Sequence, residues 1–135
     1  MTDKIDAILN HVPASLQKDA QRLFKISPLF TMLMRTATNE AWLSLFVDAE
    51  KALLPDESEE WIPPCESSDL VTCMRHLRQC KQRGHRHLIW WELGLGGDMD
   101  VSYRAIADFA SGLLHEALTM AGRLIAPRYG HIEDG

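Results

Sequence analysis

The chain predicts an all-α protein: a helical bundle dominated by two long antiparallel helices, at about 68–93 and 100–126, with shorter helices before them. Three observations lead there. Apolar residues recur at steps of three and four, the spacing that lines one face of a helix. Residues that start helices stand directly ahead of those stripes. No stretch alternates apolar with polar residues as a half-buried strand does.

Taken in order, Pro13 fits the first turn of a helix running to about Phe24, with Leu16, Ala20, Leu23 and Phe24 on one face. Ser27-Pro28 then supplies a capping oxygen followed by a proline whose missing N–H costs nothing in a first turn. The helix it opens should turn Leu29, Phe30, Leu33 and Met34 inward. Thr38, followed by Ala41, Trp42, Leu45 and Phe46, predicts another capped amphipathic helix. Pro55 to Ser68 holds three prolines and five acids, so it predicts a loop, with Trp61-Ile62 pinning it to the core.

Ser67, Ser68 or Asp69 caps the first long helix, whose stripe is Leu70, Cys73, Met74, Leu77, Cys80, Leu88 and Trp91. Gly84 interrupts that stripe, at a cost of about 1 kcal/mol against alanine, or else allows another helix to cross closely. Gly94, Gly96 and Gly97 end the helix. Asp98 or Asp100 caps the second, with Ile106, Phe109, Leu113, Ala117, Met120, Leu124 and Ile125 as its stripe and Pro127 at its end.

The 135 residues and 15.3 kDa fit one domain. With 46% apolar and 24% charged residues, the composition is that of a globular protein, not a disordered chain or a collagen-like fibre. Three cysteines, Cys65, Cys73 and Cys80, are too few for a disulfide scaffold and fit a reducing cytosol. No apolar run reaches the ~18 residues of a membrane span, and the acidic start lacks the apolar core of a signal peptide. The expected location is therefore the cytoplasm, away from the membrane.

Net charge is −5, which argues against generic polyanion or nucleic-acid binding. The charge is nevertheless divided. Asp48 to Asp69 carries eight acids against Lys51 alone, whereas Val71 to Glu92 carries Arg75, Arg78, Lys81, Arg83 and Arg86 against Glu92, with His76, His85 and His87 in addition. Such neighbouring blocks either neutralise each other within the fold, form a solvated helix face beside an acidic loop, or meet a partner.

Chemical motifs are sparse. Gly94-Leu95-Gly96-Gly97 has the glycines of a phosphate cradle but follows a helix rather than a strand, so an interhelical turn explains it. Asp98-Met99-Asp100-Val101 resembles the metal-holding carboxylate pair of nucleotidyltransferases, yet sits where a capping sequence belongs. Cys73, His76 and Cys80 share a helix with Cys65 nearby; together they would make a zinc set, or the cysteines are plain core residues. No nucleophile elbow, His-Glu-x-x-His or Walker sequence occurs. The residues themselves give no catalytic site, no cofactor-binding site and no metal site.

The segment Met74 to Gly94 resembles a helix of glutamine synthetase adenylyltransferase, the bifunctional adenylyl-transferring and adenylyl-removing enzyme. Leu77, Arg78, Arg83, Trp90 and Leu93 match, Lys81, Leu88 and Glu92 are conservative, and Cys80, Gly84 and His87 depart from the pattern. Upstream, Ser27-Pro28-Leu29-Phe30 and Trp42-Leu43 are similar to that family's Ser-x-Phe and Trp-Leu pair. Downstream, Ile106 to Ala110, Leu113 to Ala121 and Arg128-Tyr129-Gly130 are similar to the following helix and the entry to the catalytic domain.

The resemblance implies a single all-α domain over 1–135, the N-terminal helical part of a longer enzyme whose nucleotidyltransferase domain, with its Ser-Asp-x-Asp centre, lies past Gly135. It implies magnesium and ATP for the full enzyme only, and glutamine synthetase and a PII signal protein as partners. Arg78, Lys81, Arg83 and Arg86 are then the candidate contacts to the catalytic domain or a partner. The alternative reading is a free-standing helical interaction module using the same basic stripe, and a weaker one is a metal-binding bundle through Cys65, Cys73, His76 and Cys80.

Overall fold

The computed structural model describes residues 4–38, 45–46 and 52–129. These are all-α: among the described residues there is no strand, and five helices account for the regular structure. Helix α1 (Lys4–His11), a 3₁₀ turn (Ala14–Leu16), α2 (Gln17–Ile26) and α3 (Pro28–Thr36) make a compact N-terminal layer. Helix α4 (Leu70–Ile89), a π turn (Trp90–Gly94) and α5 (Met99–Tyr129) make a hairpin. An irregular strap, residues 52–69, connects into α4.

The main core sits where the N-terminal layer meets the end of α4. Ile8, Leu23, Phe30, Met34, Leu45 and Trp90 are almost wholly enclosed there. Trp90 meets Phe46 edge to face with centroids 4.9 Å apart, a favoured aromatic geometry. Side chains close the helix ends of this layer, as the orphan carbonyls of short helices require. Lys4 Nζ donates to the carbonyls of Arg35 (2.9 Å) and Ala37, and Gln17 Nε2 to those of Leu9 and Val12. Ser27 Oγ accepts from the Phe30 N–H at 3.1 Å, the cap its place before Pro28 predicts.

The two long helices are antiparallel, as facing residues show. Cys73 lies opposite Arg123, Gly84 opposite Phe109, and Glu92 opposite Ser102, whose hydroxyl donates to Glu92 Oε2 at 2.8 Å. Asp69 caps α4, its Oδ2 accepting from the Thr72 N–H and hydroxyl. Gly96, at φ +68°, supplies the left-handed residue that lets the chain reverse. Asp98 then caps α5, its Oδ1 accepting from Asp100 N–H at 2.8 Å.

Several expectations need correction. Helix α1 has no counterpart among the predicted elements. Leu29, expected inside, is about half exposed, as are Leu70 and Met74 at the start of α4 and Ile106 and Ile125 on α5. Trp90 fills the core in place of Trp91 because the chain widens into a π turn there, adding one residue to the turn and rotating the stripe. Helix α5 runs through Pro127 to Tyr129 instead of ending at the proline. Of the helix expected after Thr38, residues 39–44 and 47–51 lie outside those described; Leu45 and Phe46 are buried in the core.

Candidate functional site

The strap crosses the hairpin beside Phe109 and Gly112. Trp61 and Ile62 form a second small core with Phe109, with Leu113 beside it. Two glycines make room. A Cβ on Gly84 would stand 2.3 Å from the Phe109 ring, and one on Gly112 would stand 2.9 Å from the Glu57 backbone. Gly84 is thus the close crossing that its place in the stripe allowed.

Over this core lies an aromatic and basic cluster. The Arg83 guanidinium stacks 4.3 Å from the Trp61 ring centroid and donates to the Glu60 carbonyl at 2.9 Å. His87 meets the same Trp61 edge-on, centroids 4.9 Å apart. Burial, reinforced by the charges of Arg83 and Arg86, pushes the His87 pKa down to about 4, against a hydrogen bond to the Leu53 backbone that raises it. His87 is therefore neutral at physiological pH.

The four basic residues expected to form one contact stripe divide. Arg78 and Lys81 are exposed, Arg83 is committed to Trp61, and Arg86 is only 6% exposed, its pKa lowered by burial and by Arg83. At 3.6 residues per turn, positions 78, 81, 83 and 86 fan over more than half of the helix circumference. Lys81 instead helps to rim a groove.

That groove, about 340 Å³, runs along the α4–α5 seam. Leu29, Leu88, Ile89, Ile106, Phe109 and Leu113 form its apolar walls, and Lys81, His85 and Glu92 stand at its edge. Burial, with a smaller contribution from Lys81, lowers the His85 pKa, so the rim carries one cation, one anion and an uncharged imidazole at neutral pH. Elsewhere on α5, Leu114 and Leu118 are more than 60% exposed. Sequence reasoning placed Ile106 and Leu113 in one buried stripe and so missed the groove. The signal available was that α5 carries apolar residues on more faces than a single antiparallel partner covers.

The cysteines and His76 form two pairs rather than one set. Cys65 Sγ is 3.2 Å from Cys73 Sγ, and Cys80 Sγ is 3.7 Å from His76 Nε2. Among the described residues, no three His, Cys, Asp or Glu side chains converge closely enough to hold a metal ion. Nor is the second pair built as a nucleophile and base. His76 Nε2 is also hydrogen-bonded to the Pro63 carbonyl, which requires the ring nitrogen to be the donor, and burial pushes the Cys80 thiol up. Asp98 and Asp100 act at the start of α5, where Asp98 caps the helix. No described helix is long and apolar enough to cross a membrane.

No family model, no curated protein and no solved structure matches this chain.

Proposed function

We propose that the chain is a non-catalytic helical docking module, working in the cytoplasm, whose α4–α5 groove receives an apolar helix or loop of a protein partner. The observation that carries this reading is the apolar groove walled by Leu29, Leu88, Ile106 and Phe109. Monomeric proteins rarely leave contiguous apolar surface of this kind uncovered, and a polar rim around an apolar floor is the usual anatomy of a protein interface. Lys81 and Glu92 would fix the orientation of the incoming segment.

A second reading names the partner. The segment that resembles glutamine synthetase adenylyltransferase forms a single helix as far as Ile89, extended by the π turn to Gly94, and a second long helix follows, the order that the resemblance implies. In that reading the occupant is a nucleotidyltransferase domain of the same polypeptide, which would use magnesium and ATP to modify glutamine synthetase under PII control. Lys81, and Arg78 beside it, would then touch that domain, whereas Arg83 and Arg86 act inside the fold.

A photo-crosslinking residue at position 106, introduced in the native cells, tests both. Expected is a protein adduct that is absent when the same residue replaces Lys18, exposed on α2 and outside the groove lining. An adduct to an adenylyltransferase catalytic domain selects the second reading. Recovery of the chain without any site-dependent adduct would refute the docking role.

A further inference from the structure

The paired thiols where the strap meets α4 point to a modification site. Cys65 lies in the irregular strap, half-buried, and Cys73 lies in the first turn of α4, enclosed. Their sulfurs are 3.2 Å apart, in contact but unbonded. A disulfide bond is about 2.05 Å long, so roughly 1 Å of approach separates the two states. Cys73 is held in a helix, so the approach falls to the Cys65 side chain on the irregular strap.

The surroundings hold the pair in register. Glu116 Oε1 accepts from the Cys65 N–H at 3.3 Å. Arg123 donates to the Cys65 and Ser67 carbonyls, each at 2.7 Å, and its Nη2 stands 3.6 Å from Cys73 Sγ. Helix α5 therefore fixes the strap backbone on both sides of the thiol and sets a cation beside the second sulfur. The Cys73 thiol itself donates to the Ser67 carbonyl at 3.4 Å, and burial and the neighbouring Cys65 keep it protonated. The two groups are unequal: Cys65 is half-buried and Cys73 enclosed behind it, the division of labour between an attacking and a resolving thiol.

We propose that Cys65 and Cys73 form a reversible disulfide by exchange with a low-molecular-weight disulfide of the glutathione type, locking the strap onto the first turn of α4. The Cys65 thiolate attacks one sulfur of the small disulfide, forming a mixed disulfide and releasing one small-molecule thiolate. Cys73 then loses its proton and attacks Cys65 Sγ, releasing the second thiolate. The two protein protons end on the two released thiols. Two electrons pass from the protein to the small disulfide, which is thereby reduced.

The ring closed is short, from Cys65 to Cys73, and it tethers the strap segment that carries Trp61 onto Arg83 and His87. Oxidation consequently stiffens the aromatic cluster without engaging Cys80, whose sulfur contacts His76.

The test is equilibration of the full-length folded protein with excess glutathione disulfide, followed by alkylation and peptide mass mapping. Expected is a fall from three free thiols to one, a Cys65–Cys73 linkage with Cys80 alkylated, and full reversal by dithiothreitol. The Cys80→Ala variant should form the same linkage, its two free thiols falling to none. The oxidised protein should melt higher, by on the order of 5 °C, and Cys65→Ser, which leaves the enclosed sulfur in place, should abolish that difference. Three thiols remaining after equilibration, a reaction that stops at a glutathione adduct on Cys65, or a linkage through Cys80 would each overturn the proposal.

Discussion

Phe109 rests on Gly84, and the fit leaves no space for a methyl group: a Cβ at position 84 would lie 2.3 Å from the ring edge. The ring cannot swing away freely, because Trp61 and Ile62 press it from the strap. One missing side chain on α4 thus sets how closely α5 approaches and where the strap crosses.

Gly84→Ala should therefore destabilise the fold by about 1–3 kcal/mol, the usual cost of overpacking, despite its better helix propensity. Gly112→Ala should do likewise, since its Cβ would meet the Glu57 backbone. Gly122 is the control: nothing lies within 4 Å of its would-be Cβ, so Gly122→Ala should stabilise by up to about 1 kcal/mol. Urea denaturation of the three variants checks the order.

Trp61→Ala should cost about 3–5 kcal/mol, as for other large buried aromatics. Arg83→Gln should cost about 1 kcal/mol, because it removes a cation over the ring and a donor to the Glu60 carbonyl while the rest of the side chain remains. In the double variant the Arg83 effect should shrink, since its aromatic partner is gone. A double-mutant cycle by chemical denaturation measures the coupling, and strict additivity would show that the stacking contributes nothing.

His87 makes stability depend on mildly acidic pH. Its pKa is about 4 in the folded protein and 6.5 in the unfolded chain, so between those values the unfolded state binds a proton that the folded state does not. Stability should fall as pH drops through that window, by up to about 3 kcal/mol. His87→Gln, which cannot take up the proton, should be less stable at pH 7 but should lose less on acidification. Thermal melts from pH 7 to pH 4 on both proteins check the difference.

Ser27→Ala should destabilise by about 1 kcal/mol, because the Phe30 N–H loses its acceptor inside the core. Ser27→Asp, which keeps an acceptor at the cap, should recover part of that loss in the same denaturation assay.

How much of this was legible in the sequence follows the range of the interactions. The caps at Ser27 and Asp69 rest on contacts three residues apart; the sequence singled out Ser27 and left Asp69 as one of three candidates beside Ser67 and Ser68. Trp61-Ile62 as the anchor of the strap was legible too, as an aromatic and aliphatic pair alone in a polar, proline-rich segment. Trp90 was not, because the choice between Trp90 and Trp91 depends on a single extra residue in the π turn. The division of Arg78, Lys81, Arg83 and Arg86 among solvent, groove rim, aromatic stack and core was hidden for another reason. Charge along the chain says nothing of which face each residue takes, and Trp61 claims Arg83 from 22 residues upstream.

Arg22, on α2, donates to the carbonyls of Leu93 and Gly94 at 3.0 Å each, closing the π turn from 71 and 72 residues away. Trp90, in that same turn, completes the core of the N-terminal layer. Each half of the molecule therefore lends the other a missing piece: α2 finishes the end of α4, and the end of α4 finishes the packing around α2. Such reciprocity makes the two halves one cooperative unit. Cutting the chain in the strap would leave an N-terminal piece with a tryptophan-sized hole and a hairpin with a frayed corner, and mixing the pieces should restore a fold that neither attains by itself.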